Sequence, residues 1–226
     1  MKKTIIILLL IAGTLLVGVY AKRKFYNTHT TIESVEPKVI KTEKKEVIKD
    51  GDIIFQTSLS QQSKAIQLAT KSKYSHCGLI YKEGNTFFVF EAIQPVTKTP
   101  LNKWIARGED SHYVIKRLKN AERILTAETL QKMRKIGQTF IGKDYDPVFD
   151  WSDEKIYCSE LIWKIYQRGA GIEIGKLQQL KDFDLNNNIV KKKLKERYGS
   201  SIPLHETVIS PASIFKSDLL TTISEN

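Results

Sequence analysis

The chain has 226 residues, a formal net charge of +11 and two cysteines. Two cysteines exclude the multi-disulfide framework of a small secreted scaffold. The charge does not indicate a nucleic-acid-binding protein. Five of the basic residues that produce it flank one apolar segment near the N-terminus, so the rest of the chain is much less basic. The dense basic run at 191–195 has no aromatic platform or recognition motif beside it. We interpret this run as a solvated helix face, with attraction to an anionic membrane surface as the alternative.

The apolar segment comprises residues 4–21, with Lys2 and Lys3 before it and the basic residues 22–24 after it. As a helix it would span roughly 27 Å, close to the roughly 30 Å hydrocarbon core of a bilayer. Residues 1–24 therefore predict an apolar helix that is a signal anchor or a cleavable signal peptide. Residues 25–50, rich in Lys, Glu and Thr, predict an extended linker. We expect a membrane-anchored or secreted protein whose remainder lies outside the cytoplasm, in the cell envelope or periplasm.

Residues 51–226 predict one folded domain. Its first part predicts a strand at 51–55, a helix at 60–72, a hairpin of strands at 76–82 and 86–93, a short helix at 100–107, a strand at 112–118 and an amphipathic helix at 126–140. A Gly-Asp loop at 142–147 leads to a helix that begins near Cys158 and ends at 169–171. The tail from 176 predicts a basic helix near 186–198 and a proline-containing loop. Helices with a hairpin-based, largely antiparallel sheet indicate the α+β class.

Cys158 lies in the first turn of its predicted helix, on the apolar stripe that continues through Leu161, Ile162, Ile165 and Tyr166. The unpaired N–H groups and the dipole at a helix start favour negative charge, so a thiol placed there ionises more easily. A free cysteine is also commonly a small buried apolar residue. The helix alone leaves both interpretations open, because a nucleophile needs a base nearby.

His76 and Glu91 are the candidates for that base and for the group that orients it. They lie on the two strands of the predicted hairpin. A two-residue turn at 83–84 would place them directly opposite each other, and a turn at 84–85 would place them diagonally on the same face. Glu91 stands in an apolar run, where a carboxylate needs a partner to offset its desolvation. The geometry permits a His–Glu pair under both turns.

Five motifs carry a family resemblance: GDIIF at 51–55, SHCGLIY at 75–81, FEA at 90–92, GKDYDP at 142–147 and IYCSEL at 156–161. In this order they resemble the YiiX/YaeF-like permuted papain-like amidases of the NlpC-type cysteine hydrolase superfamily, in which the histidine strand precedes the cysteine helix. The resemblance implies a permuted papain-like fold with Cys158 as nucleophile, His76 as general base and acid, and Glu91 as the group that orients the imidazole. Cys77 is expected to point away from His76, because successive strand residues face opposite sides.

The implied reaction is acyl transfer from an amide or ester to the Cys158 thiolate, with release of the acyl-enzyme to water or another acceptor. The backbone N–H of Cys158 is the simplest oxyanion donor; Gln56 and Tyr157 are candidates for a second donor, and Tyr145 for a residue lining the cleft. No cofactor is expected. The relatives suggest a cell-wall peptide, or else an acyl-lipid or N-acyl amide, as substrate.

Two alternatives remain open at this point. One is a papain-like shell that binds a lipid or peptide at a membrane surface without turnover. The other is a zinc site built from His76, Cys77, Glu91 and Cys158. It is less favoured, because His76 and Cys77 are adjacent on one strand and no C-x-x-C or H-x-x-x-H spacing occurs.

Overall fold

The computed structural model describes residues 47–226. The predicted apolar helix and most of the predicted linker lie outside the described residues. Within residues 47–226, no helix is long and apolar enough to cross a membrane. The end of the predicted linker already contacts the domain, because the Asp50 carboxylate accepts a hydrogen bond from the Lys82 N–H at 2.7 Å.

The strands are β1 (Ile53–Gln56), β2 (His76–Glu83), β3 (Thr86–Glu91), β4 (Thr97–Pro100), β5 (Val114–Leu118), β6 (Gln178–Gln179), β7 (Thr207–Val208) and β8 (Leu220–Glu225). Six of them form one sheet in the order β4-β3-β2-β1-β5-β8, and every neighbouring pair is antiparallel. The other two, β6 and β7, pair with each other. The predicted α+β class with an antiparallel sheet is confirmed.

The helices are α1 (Ser63–Thr70), α2 (Leu101–Ala106), α3 (Ala121–Ile124), α4 (Ala127–Gln138), α5 (Cys158–Ala170), α6 (Asn188–Tyr198) and α7 (Pro211–Phe215). Local chemistry sets their ends. Thr126 Oγ1 accepts a hydrogen bond from the Thr129 N–H at 3.2 Å and so starts α4. Gly171 ends α5 with φ at +69°, a left-handed value that glycine adopts without steric cost.

Apolar side chains pack on both faces of the sheet. On one face, Phe55 and Tyr81 join a large core with the buried side of α5. On the other, Ile54 and Ile80 surround Trp104 of α2, which is fully buried. The alternation between Ile54 and Phe55 is the period-two pattern of a strand that is buried on both sides.

The β2–β3 hairpin turns at Gly84 and Asn85, with Glu83 paired to Thr86 and Leu79 paired to Phe90. This is the second of the two registers derived from the sequence. The same register places Glu91 opposite Gly78, so Glu91 is diagonal to His76 on the same face. The turn thus sets the relation between these two side chains.

The C-terminal segment departs most from the prediction. The expected loop contains α7, which begins at Pro211, and strand β8, which pairs with the sheet edge at β5. The edge strand β4 was also not predicted. β4 and β8 lie at the two edges of the sheet, where a strand needs little apolar surface. Their alternation of apolar and polar residues is therefore weak in the sequence.

Asp52, the acidic residue of the GDIIF motif, has a structural partner. Its carboxylate is 1% exposed and accepts two hydrogen bonds from Arg117, at 2.7 Å from Nε and 2.8 Å from Nη2. The Lys49 N–H donates a third at 2.8 Å. This bidentate ion pair connects the residue before β1 to β5 in the protein interior.

We expect Asp52→Asn to lower the free energy of unfolding by about 3 kcal/mol, because it removes the buried carboxylate charge that pairs with the Arg117 guanidinium. Urea denaturation followed by circular dichroism measures the change. Glu122→Gln is the matched control, since the Lys49–Glu122 pair is exposed and its loss should change stability little. Equal effects of the two substitutions would contradict a stabilising role for the buried pair.

Candidate active site

Cys158 is the first residue of α5. Its neighbour Ser159 is buried and donates a hydrogen bond from Oγ to the Ile209 carbonyl at 2.8 Å, which fixes the start of the helix. Cys158 is 4% exposed and lines a cavity. The sulfur therefore lies at the positive end of the helix dipole, on a rigid element and open to a ligand.

His76 begins β2 and forms a hydrogen bond from Nε2 to Glu91 Oε2 at 2.7 Å. Glu91 is fully buried. It also accepts hydrogen bonds at 2.5 Å from Thr99 Oγ1 and from Arg107 Nη2. Three donors thus hold one carboxylate in a single orientation.

The Trp104 ring stacks on the His76 imidazole, with the centroids 5.7 Å apart and the planes inclined by 22°. Since Nε2 is taken by Glu91, Nδ1 is the nitrogen left for the Cys158 sulfur. The imidazole is therefore fixed in both position and direction.

The neighbouring Cys77 thiol, followed by the His76 imidazole and its charge, lowers the pKa of Cys158 well below its usual value against the opposing effect of burial. Burial would lower the pKa of His76, but its bonds to Cys158 and Glu91 raise it to about 9. The pair is therefore a thiolate and an imidazolium near neutral pH.

Glu91 remains ionised beside this pair. Burial would raise the pKa of Glu91, but the hydrogen bond and charge of His76, with further bonds from Arg107 and Thr99, lower it to about 2. The charges Arg107⁺, Glu91⁻, His76⁺ and Cys158⁻ follow one another with alternating sign. A thiolate beside an imidazolium held by a carboxylate is the arrangement that nucleophilic catalysis requires.

Two cavities share Tyr145 as a lining residue, and Cys158 lines the first of them. We call the first the apolar cavity. Side chains of α1 and α6 form part of its wall. It contacts Cys158. Its apolar lining includes Ala65, Ile66, Ala69, Phe149, Leu180, Phe183, Leu185, Val190, Leu194 and Val208.

The second, which we call the histidine cavity, opens beside His76. Its lining includes Ser58, Ser60, Gln62, Gln94 and Arg107. Tyr145 lines both cavities. A substrate that spans the two cavities therefore passes between Cys158, His76 and Tyr145.

The three residues proposed for the oxyanion or the cleft lie in different places. Tyr145 is beside Cys158, as described. Tyr157 walls the apolar cavity, and its hydroxyl accepts the Ile209 N–H at 3.1 Å. Gln56 is buried with its side chain against Gly108, and it lines neither of the two cavities.

Comparison with known proteins places these residues in a family. Residues 47–224 match the model of a family described as "permuted papain-like amidase enzyme, YaeF/YiiX, C92 family". The chain belongs to this family. The resemblance and the permuted papain-like fold predicted from the sequence are confirmed.

One relative is the uncharacterized protein YiiX of Escherichia coli strain K12, 49% identical over 175 residues, which are 77% of this chain and 85% of that protein. A crystal structure described as the metalloprotein yiiX from Escherichia coli O157:H7 is also 49% identical. It superposes with a TM-score of 0.75 and covers 79% of this chain and 97% of that one.

The sequence did not reveal four of the contacts that shape the candidate site of this family member. Thr99 lies on the unpredicted edge strand β4, and Arg107 and Trp104 come from a helix that showed no link to the hairpin. Cys77 joins the core on the face away from His76, as strand alternation predicts. Its contact with Cys158 arises only from the way α5 crosses the end of β2, which no sequence pattern encodes.

We expect iodoacetamide to label Cys158 rapidly at pH 6, while Cys77, fully buried and with a pKa raised by burial, stays unlabelled. His76→Ala should slow the labelling of Cys158 by roughly 10- to 100-fold at pH 6, because an ordinary thiol is almost wholly protonated there. Mass spectrometry of each cysteine peptide from pH 5 to 9 measures both rates.

His205→Ala is the matched control for that experiment, since His205 is exposed and distant from the two cavities. It should leave both rates unchanged. Slow and equal labelling of the two cysteines in the unsubstituted protein would refute the thiolate–imidazolium pair.

Proposed function

We propose that the protein is a cysteine amidase that hydrolyses an N-acyl amide or an acyl-lipid through an acyl-enzyme on Cys158. The observation that carries this proposal is the alternating set of charges that ends at the Cys158 sulfur, directly beside an apolar cavity. Family membership supports the amidase chemistry. The cavity supports the acyl substrate.

In the proposed reaction the Cys158 thiolate attacks the carbonyl carbon of the substrate, and a C–S bond forms as the carbonyl oxygen becomes an oxyanion. His76 then donates its proton to the leaving nitrogen, the C–N bond breaks, and a thioester remains on Cys158. Neutral His76 next takes a proton from water, whose oxygen attacks the thioester. The acid leaves and the thiolate–imidazolium pair is restored.

The shape of the site favours an acyl chain over a cell-wall peptide. A cell-wall peptide carries amide and carboxylate groups along its length, and these would lose their hydration beside Val190, Leu194 and Ile66. A hydrocarbon chain has no polar groups to desolvate there. Each buried methylene contributes about 0.8 kcal/mol to the binding free energy. The polar leaving group would occupy the histidine cavity, near Arg107 and Ser58.

We also propose that the enzyme works at a membrane, outside the cytoplasm. The apolar segment at 4–21 supports this, and so does the position of the basic run on α6. Lys191, Lys192 and Lys195 are exposed on α6, whereas Val190 and Leu194 of the same helix are buried. One helix therefore faces both an anionic surface and the proposed acyl chain.

Cell fractionation of the full chain tests this location. We expect the protein in the membrane fraction, or released in processed form if residues 1–24 are cleaved, and cytoplasmic when residues 1–24 are deleted. Accessibility to a protease added outside the inner membrane reports the side. Full protection of the domain in intact spheroplasts would contradict the proposal.

The relative described as a metalloprotein raises the question of a metal in this chain, and the residues present do not fit one. Nε2 of His76 is bonded to Glu91, and the other ring nitrogen faces Cys158. Both Glu91 oxygens are taken, one of them by a guanidinium that repels a second cation. Within residues 47–226, no group of three or more His, Cys, Asp or Glu side chains is arranged to hold a metal ion. The proposed reaction has no step through a metal.

Hydrolysis of a series of N-acyl amides, from acetyl to palmitoyl, tests the proposed substrate. We expect kcat/KM to rise about fourfold per methylene until the apolar cavity is filled, since about 0.8 kcal/mol per methylene corresponds to that factor. Cys158→Ala should abolish turnover. Ala69→Phe, which narrows the cavity, should lower kcat/KM for long chains by at least about tenfold.

The short-chain substrates serve as the internal control, since Ala69→Phe should leave acetyl hydrolysis unchanged. Cleavage of cell-wall peptides with no chain-length effect on acyl amides would overturn the lipid assignment. Binding of acyl amides by both the unsubstituted protein and Cys158→Ala, without turnover by either, would instead show a binding module.

A further inference from the structure

Cys77 and Cys158 are the two cysteines of the chain, and both thiols are free in the structure. Their side chains belong to one buried core, which forms between the sheet and α5. Cys77 is paired across the sheet with Phe55, a residue of the same core, and residues paired in this way point to the same face. The Cys77 side chain is therefore directed toward α5.

The packing of α5 along β2 brings the two cysteines together. Cys158 lies beside the first residue of β2. Further along, the Tyr166 hydroxyl donates to the Gly51 carbonyl, and the Gly51 N–H donates to the Ile80 carbonyl at 2.9 Å. From Tyr166 back to Cys158 the helix covers about 12 Å, and from Ile80 back to Cys77 the strand covers about 10 Å. The two cysteines therefore face each other where α5 begins.

The two thiols differ in exposure and in charge. Cys158 lines the apolar cavity, whereas Cys77 is fully buried and lines neither of the two cavities. The Cys77 thiol and the His76 imidazole lower the pKa of Cys158, and burial raises the pKa of Cys77. An accessible thiolate with a protonated thiol enclosed behind it is the arrangement of a cysteine that is oxidised reversibly.

We propose that Cys158 and Cys77 form a reversible disulfide when a hydroperoxide enters the apolar cavity, and that this bond holds the nucleophile in an inactive, protected form. The inference rests on the proposed function in one respect, the thiolate state of Cys158, and it requires no turnover of an acyl substrate. It assigns a role to Cys77, which the sequence indicated only as a packing residue of β2.

The proposed modification has two steps. In the first, the Cys158 thiolate attacks the hydroxyl oxygen of the hydroperoxide, the O–O bond breaks, and the sulfur is oxidised to a sulfenic acid. The other peroxide oxygen is reduced and takes the His76 proton, which gives an alcohol, or water from hydrogen peroxide. In the second, the Cys77 sulfur attacks the Cys158 sulfur, the S–O bond breaks, and the departing hydroxide takes the Cys77 proton to give water.

The second step protects Cys158 from irreversible damage. A sulfenic acid that meets more peroxide becomes a sulfinic and then a sulfonic acid, which thiol reductants do not reverse. Because Cys77 is already beside the sulfur, its attack is intramolecular and precedes a second encounter with peroxide. The disulfide contains no thiolate, so hydrolysis stops until a reductant restores both thiols. The proposed location outside the cytoplasm is one where such bonds form and persist.

Treatment of the full chain with hydrogen peroxide tests this bond. We expect mass spectrometry to show the loss of two hydrogens, with the Cys77 and Cys158 peptides joined until dithiothreitol is added. Hydrolysis of the N-acyl amide should fall at least about tenfold as the bond forms and return on reduction. Cys158→Ser is the first control: its remaining thiol, Cys77, is fully buried and should stay unmodified.

Cys77→Ala separates the internal bond from simple oxidation. Without the second thiol, peroxide should add two oxygens to Cys158, and dithiothreitol should restore less than about a tenth of the activity that this variant had before treatment. Val114→Ala is the matched control, since it truncates a side chain of the same core and keeps both cysteines. Its activity should return on reduction as in the unsubstituted protein.

The joined peptides of the unsubstituted protein are a readout that depends neither on turnover nor on the folding of a variant. A sulfinic acid at Cys158 beside a free Cys77 would overturn the inference, and so would disulfide-linked pairs of chains in place of the internal bond. If the bond forms and is reversed by dithiothreitol but the reduced protein hydrolyses no acyl amide, the proposed function fails and the inference holds.

Discussion

The site depends on one buried carboxylate. Glu91 has no solvent to stabilise its charge, so it persists as an anion only because His76, Thr99 and Arg107 all donate to it. Its charge in turn keeps His76 protonated, and His76 with Cys77 keeps Cys158 a thiolate. The proposed nucleophile is therefore maintained by a carboxylate that lines neither cavity. Such a set is costly to break at any point, because each loss leaves a buried charge unpaired.

The parts of this arrangement that local chemistry specifies were predictable from the sequence. The Gly84-Asn85 turn fixes the register of the hairpin, so the pairing of His76 with Glu91 follows from residue counting. The start of α5 at Cys158 follows from its apolar stripe. Contacts between distant elements were not predictable, because no periodicity records that Arg107 reaches Glu91 or that Cys77 reaches Cys158. The edge strands β4 and β8 were missed for a related reason: their sequences are too polar to show a buried face.

The helix α6 combines functions that are usually separate. Its buried residues Val190 and Leu194 wall the apolar cavity, its exposed lysines face outward, and Arg197 in its last turn donates a hydrogen bond to the Gln62 side chain. A ligand in the apolar cavity would therefore pack on the same helix that presents exposed lysines to the solvent.

The permuted order of the elements has a consequence for biosynthesis. The hairpin with His76 and Glu91 closes through a two-residue turn, so it forms from contacts that are local in sequence. Cys158 reaches this hairpin only when α5 packs across β2, a contact between segments far apart in the chain. In a nascent or partly folded chain the thiol has an ordinary pKa and little nucleophilicity. The thiolate therefore forms only when the tertiary structure is complete.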